Sequence, residues 1–309
     1  PVGEEDLQAD GKHRQHRQDR MSREALTALF HSTSGWRVKT RWLGGGSVCR
    51  WHGIECAEGG EEVTSIDLGG NGVHGTLPSE LASLSSLRVL NIDESRLSGT
   101  LPAALGGLQK LETILYASNP RLSGTLPRFL PGGSSSRLSV LDVSTSRLSG
   151  TLSAGLVRTV SPRLQRLQLD HTRLSGTVPS SLGDCSQHLQ YLFLHASPAL
   201  SGTLPSELGR LGGKLLGTSL AGTRVSGTLP TELGRLTQLR SLWLVSTSLS
   251  GTLPTQLGRL GSLRELELHR NRLSGTLPDA LGAARGGGVR GGRARGGRAR
   301  GGRGGGGGG

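Results

Sequence analysis

Leucines recur along most of this chain at fixed offsets. LRVLNIDESRLSG (87–99), LQRLQLDHTRLSG (164–176) and LRELELHRNRLSG (263–275) share one frame of apolar positions, and each closes on Ser-Gly. Within the frame Leu90 and Ile92, Leu167 and Leu169, Leu242 and Leu244, and Leu266 and Leu268 lie two apart. That spacing puts them on one side of a short strand and turns the residues between them the other way. The glycine that follows falls at 75, 99, 124, 150, 176, 202, 227, 251 and 275, a period of 24 to 26 residues. A unit this short cannot bury its own leucines, whereas a neighbour on either side can, so repetition itself supplies the core. Successive strands then pair in parallel into one continuous sheet.

The polar positions of the frame are equally regular. Asn71, Ser95, Ser146, Thr172, Thr223, Thr247 and Asn271 stand four before the glycine, and Asn119 and Ser197 take the same place after a one-residue insertion. Short side chains of this kind close backbone hydrogen bonds where a strand turns away. The glycine suits positive φ or close packing, and a proline at 78, 102, 127, 179, 205, 230, 254 and 278 presets the next turn. Only Leu152-Ser153 lacks it, and Thr218 stands where a frame leucine belongs.

The full phrase, L-x-x-L-x-L-x-x-N-x-L-S-G-x-L-P-x-x-L-G-x-L, resembles the plant-type leucine-rich repeat. SREALTALFHSTSGW (22–36), RW (41–42) and CRWHGIEC (49–56) resemble the N-terminal cap of that family, with its C-x-W-x-G-[VI]-x-C motif. The resemblance implies an α/β-type repeat solenoid: a curved leucine-rich repeat array with a concave parallel β-sheet, an irregular or 3-10 convex side and about nine repeats. The expected layout is a disordered polar leader (1–21), the cap (22–62), the solenoid (63–284) and a disordered Arg/Gly-rich tail (285–309). The array reaches LGAA (281–284) without the paired-cysteine C-terminal cap of the family. The family, of receptor-like and polygalacturonase-inhibitor-like ectodomains, implies a secreted or cell-surface monomer that recognises a protein or polysaccharide and performs no chemistry. Cys49 and Cys56 could be buried free thiols; the cap motif implies that they form a disulfide. Cys185 occupies a leucine slot and is expected to stay a free core residue. Trp36, Trp42 and Trp51 all fall in the cap and are expected to pack there.

Recognition should be sought in what varies. The outward position between the paired frame residues reads Asp67, Asn91, Leu115, Asp142, Gln168, Phe193, Ser219, Trp243 and Glu267. Two residues further come Gly69, Asp93, Ala117, Ser144, Asp170, His195, Ala221, Val245 and His269. Tyr191, Phe193, His195, Trp243 and Val245 make an apolar patch, flanked by Gln168, Asp170 and His171 on one side and by Glu265, Glu267 and His269 on the other. Aromatics rimmed by polar groups are what binding hot spots are made of. The small Ser219 and Ala221 between the two halves suggest a pocket there.

Charge adds a second candidate. Of the net +13, seven arginines lie in the acid-free segment 285–303. That segment resembles an RGG box without the aromatics that stack on bases, so it would support only electrostatic contact with nucleic acid. An intracellular interaction scaffold with such a tail is the alternative function. Arg96, Arg121, Arg147, Arg173, Arg224 and Arg272, each before a Leu-Ser-Gly or Val-Ser-Gly, form a ladder: a solvated face, or an edge for a polyanion. No run approaches the roughly 18 apolar residues of a membrane helix. The first twenty residues have no signal-peptide run, which leaves an incomplete N-terminus or a cytoplasmic protein. No Cys/His cluster has zinc spacing and no catalytic constellation stands out, so neither metal nor cofactor nor enzymatic activity is expected.

Overall fold

The structure is a computed structural model that describes residues 4–60, 62–126, 137–152, 163–184 and 187–278, with side chains from residue 16 onward. Cys185 and the Arg/Gly tail lie outside the described residues. The frame forms a ten-stranded sheet. Nine of its strands are Val63–Asp67, Val89–Asn91, Thr113–Leu115, Val140–Asp142, Arg166–Gln168, Tyr191–Phe193, Gly217–Ser219, Ser241–Trp243 and Glu265–Glu267. They pair in parallel in sequence order, and Ile54–Cys56 of the cap joins Val63–Asp67 antiparallel at the open end. This is the leucine-rich repeat solenoid that the frame implies.

Burial follows the spacing. Leu90, Ile92, Leu169 and Leu194 are fully buried, and Leu167, Leu192, Leu242, Leu244 and Leu266 nearly so. Each such side chain is worth about 1.5–3 kcal/mol relative to exposure. The convex side is built of 3-10 turns, among them Ser79–Ser83, Ala103–Gly107, Thr231–Arg235 and Thr255–Arg259, each entered from the frame proline in extended conformation. Gly234 lies where consecutive turns nearly touch: a Cβ there would sit 2.3 Å from the carbonyl oxygen of Gln256.

The polar frame position does what its chemistry suggests. Asn119 is fully buried; its amide donates to the carbonyls of Ile92 (2.8 Å), Tyr116 (3.0 Å) and Ala117 (3.1 Å) while its Oδ1 accepts from the Leu97 N–H (2.9 Å). Thr172 and Thr223 donate to the carbonyls of Leu169 and Leu220 in the same way. Thr218 is buried and donates to the carbonyl of Leu192 (3.0 Å), so the defective frame position is satisfied. A void of about 10 Å³ remains beside it, among Leu192, Leu204, Leu208 and Leu242.

Two features depart from the sequence reading. The first helix runs Glu4–Ser32, through the boundary at residue 21 where the disordered leader is expected to end. The stretch has no proline and is dominated by Glu, Gln, Arg, Ala and Leu, so helix propensity carries it backward from the docked turn in which Ala25, Leu26 and Leu29 are buried. The second feature is another sheet. The constant phrase is itself extended: Ser149–Thr151, Arg173–Thr177, Ala199–Thr203, Arg224–Gly227, Ser248–Thr252 and Arg272–Ser274 pair in parallel. The Thr125–Ser149 bridge leads from this sheet toward its earlier segment, His74–Gly75, Arg96–Gly99 and Arg121–Leu122. Serine hydroxyls brace it, Ser98 donating to the carbonyl of Gly75, Ser149 to Gly124 and Ser175 to Gly150.

The cap is compact. Cys49 and Cys56 are bridged by a disulfide. Trp36, Trp42 and Trp51 pack in series with ring centroids 4.5 and 4.9 Å apart, and Phe30 of the helix joins them.

Candidate ligand-binding face

Parallel register fixes what stands beside what on the concave sheet. Asp67, Asn91, Leu115, Asp142, Gln168, Phe193, Ser219, Trp243 and Glu267 are partners in turn along the nine strands. The outward column of the sequence is therefore one continuous row.

That row divides by role. Asp67 accepts from the Gly69 N–H, Asn91 from Asp93 N–H, Asp142 from Ser144 N–H and Ser219 from Ala221 N–H, each closing the end of its own strand. Phe193 and Trp243 can do no such work, because neither ring carries an acceptor in reach of the backbone. They stack instead. Their ring centroids are 6.2 Å apart with planes 9° from parallel, although one strand separates them. Two strand spacings amount to roughly 9.5 Å, so the rings lean toward each other across Ser219. Ser219 is only 1% exposed beneath them. Small side chains here make room for the stack: Ser219 is buried and Ala221 half-buried. Gly217 does the same for Tyr191, whose ring edge a Cβ would meet at 3.3 Å.

One neighbour escaped the sequence reading. Arg166 pairs in register with Tyr191 and holds its guanidinium 5.1 Å from the ring centroid. The signal was available in the column two residues before the outward one: Ser65, Val89, Thr113, Val140, Arg166, Tyr191, Gly217, Ser241 and Glu265. On the far flank Glu265 is exposed and accepts from the Ser241 hydroxyl, Glu267 is half-buried, Val245 is half-buried, and His269 is exposed.

On the near flank Asp170, His171 and His195 converge. Asp170 Oδ2 lies 3.1 Å from His171 Nδ1 and 3.5 Å from His195 Nε2, and the two imidazoles meet edge to face at 5.0 Å. His171 stands at φ 52°, in the left-handed turn that nearly every repeat makes at this point, as at Glu94, Thr145, Ala196 and Ser246. His195 in turn touches Phe193 edge-on. Burial holds its pKa below the usual imidazole value, the Asp170 carboxylate pulls the other way, and His171 adds to the lowering.

Toward the cap the face is acidic. Burial raises the Asp142 carboxyl above its ordinary range, with donated hydrogen bonds from Ser144 opposing and the charge of Asp170 adding. Asp93 is raised by burial first and then by Asp142, Glu94 and Asp67. The arginine ladder is elsewhere: Arg96, Arg121, Arg173, Arg224 and Arg272 are exposed at the start of the second-sheet strands and Arg147 is exposed two residues before one, and none pairs with an acid among the described residues. The structure therefore separates the two candidate surfaces.

Known proteins share these repeats and this fold. The Leucine Rich Repeat family model matches residues 86–108, 163–185 and 262–284. A curated receptor kinase of Arabidopsis thaliana, named as inactive, is 31% identical over 106 residues, which is 34% of this chain and 16% of that protein. The Arabidopsis receptor kinase HAESA, solved with the peptide hormone IDA and the co-receptor SERK1, superposes with a TM-score of 0.74 at 29% identity, over 85% of this chain and 44% of that one. The ectodomain of GASSHO1 from Arabidopsis thaliana, solved with CASPARIAN STRIP INTEGRITY FACTOR 2, gives 0.70 at 26% identity, over 85% and 34%. This chain spans less than half of each of these proteins. Its repeats, its bridged cap and these likenesses are those of plant-type leucine-rich repeat ectodomains.

Proposed function

We propose that the chain is a non-catalytic recognition module, secreted or at the cell surface, that binds a peptide or protein through its concave sheet. The Phe193–Trp243 stack carries the reading: two large rings held on the groove floor, with no structural duty in the repeat frame, are what an interface anchor requires. Tyr191 with Arg166 extends the patch on one side, and Glu265, Glu267 and His269 border it on the other. That HAESA was solved with the peptide hormone IDA, and GASSHO1 with CASPARIAN STRIP INTEGRITY FACTOR 2, supports a peptide over a polysaccharide as the ligand. Among the described residues no helix is long and apolar enough to cross a membrane.

The test starts from binders selected on the intact chain out of a displayed peptide library, alongside an oligosaccharide array. Selected peptides should bind Phe193→Ala and Trp243→Ala at least roughly tenfold more weakly, about 1.4 kcal/mol, and bind Arg147→Ala unchanged. Binding confined to the oligosaccharide array, or peptides indifferent to both ring variants, would sink the reading. The arginine ladder, exposed and without an acidic partner among the described residues, supports a second one, an edge for a sulfated or carboxylated polymer; heparin binding that falls steeply with salt and fails in Arg147→Ala would favour it.

A further inference from the structure

Asp170 is more than nine-tenths buried, and its Oδ1 has no hydrogen-bond partner among the described residues. Among the described residues neither lysine nor arginine pairs with it; only the imidazoles of His171 and His195 approach, both at Oδ2. A buried carboxylate so placed has no permanently charged side chain to compensate it among the described residues. The three side chains offer one carboxylate oxygen and two imidazole nitrogens, all within 4.8 Å of one another. Tetrahedral coordination at ~2.0–2.2 Å demands donor atoms roughly 3.3 Å apart. The observed 3.1 and 3.5 Å match that edge already, and the third pair, the two imidazole nitrogens within 4.8 Å of each other, would close by rotation of the exposed His171 ring.

We propose that Asp170, His171 and His195 form a mononuclear site for a divalent transition metal ion of the zinc class on the concave face. Two neutral imidazoles and one carboxylate are a borderline donor set that suits Zn²⁺ or Co²⁺ better than Ca²⁺ or Mg²⁺, which prefer oxygen ligands throughout. Three protein ligands leave at least one coordination position open. Because the His171 side chain is 53% exposed, the site reaches solvent, and that position is open to water or to a carboxylate or imidazole of a molecule lying in the groove. No zinc-type spacing announces the site in the sequence, because its ligands come from two successive repeats. His195 is 24 residues from His171, one turn of the solenoid away, and parallel stacking brings them into contact. The site is independent of what the Phe193–Trp243 stack binds, since it is formed by the chain alone.

The test is titration of Co²⁺ into the full, untagged chain, followed by its visible ligand-field bands, with Zn²⁺ as competitor. One Co²⁺ per chain should bind and be displaced by Zn²⁺. His171→Ala, His195→Ala and Asp170→Asn should each weaken it at least tenfold, the low end of what disturbing even an outer shell costs. His13→Gln with His16→Gln, and separately Trp243→Ala, should change nothing. An absence of bands up to millimolar Co²⁺, a thiolate charge-transfer band that places the ion at Cys185, or an unchanged titration in His171→Ala would each overturn the proposal. Should His195→Ala fail to fold, the exposed His171→Ala decides alone. Peptide binding at the aromatic patch stands or falls separately, through Phe193→Ala and Trp243→Ala.

Discussion

The two parallel sheets come from adjoining parts of the same repeat, yet they are written in different ways. The second sheet repeats Leu-Ser-Gly-Thr with little change, its leucines buried and its serines bonded to the preceding repeat. The concave sheet keeps its inward positions and changes the outward one at almost every strand, through carboxylate, amide, aliphatic, aromatic and hydroxyl. A solenoid needs only neighbour-to-neighbour contacts that are alike from repeat to repeat. The second sheet, the convex turns and the buried amides meet that need, which releases the concave row to vary. The comparison predicts that changes in the constant parts cost stability, whereas changes in the variable row cost binding.

The largest effect should come from the constant scaffold. Asn119→Ala strands the carbonyls of Ile92 and Tyr116 and the N–H of Leu97 in the core. At about 1–3 kcal/mol for each buried group left unpaired, the loss should reach ~3 kcal/mol or more in chemical denaturation. A cost below ~1 kcal/mol, the low end for even one such group, would mean that water replaces the amide and that the frame is less rigid than its repetition suggests. Next is Gly234→Ala, which forces a Cβ against the carbonyl oxygen of Gln256 with no flexible side chain to yield. About 2 kcal/mol is expected, within the usual range for overpacking.

Trp243→Ala tests the other side of the comparison. It should remove at least ~1.4 kcal/mol of ligand binding while the chain still folds, with stability lowered only by the roughly 1 kcal/mol that an aromatic pair contributes. If instead the melting transition collapses, the stack belongs to the scaffold after all, and the division between constant and variable rows fails at its most informative position.

Much of this was legible in the sequence because it depends on period alone. The inward leucines, the row of outward residues, the hydrogen-bonding place taken by Asn119 and the proline-led turns all follow from offsets of two and of about 25. What stayed hidden depends on distances between side chains. Phe193 and Trp243 sit 50 residues apart in the chain, and nothing in a period says that their rings lean together over Ser219. The Arg166–Tyr191 contact and the meeting of Asp170, His171 and His195 have the same origin: rotamer and turn geometry acting across repeats. The second sheet was missed for another reason. Leu-Ser-Gly-Thr reads as a turn, with glycine at positive φ in every copy, and only the pairing of successive copies makes it a strand.

The smallest effect concerns a variable residue that stability does not favour. Asp142 is nearly buried on the concave sheet, where burial and the charge of Asp170 raise its pKa against the bonds donated by Ser144. A carboxyl whose folded pKa lies above its unfolded value of ~3.9 binds more protons in the folded state between those two values. Its ionisation therefore costs stability at neutral pH, and the cost is relieved as pH falls through the folded pKa. Asp142→Asn keeps an oxygen to accept from the Ser144 N–H and hydroxyl while removing the charge. The variant should be more stable than the parent at about pH 7, by less than ~1 kcal/mol, the scale of charge relief between neighbouring strands. The gain should shrink as the pH of the denaturation experiment is lowered toward ~4, near the unfolded pKa. A loss of stability at neutral pH, or a gain that grows on acidification, would show that the carboxylate is wanted by the scaffold, and Asp142 would then move from the variable row to the constant one.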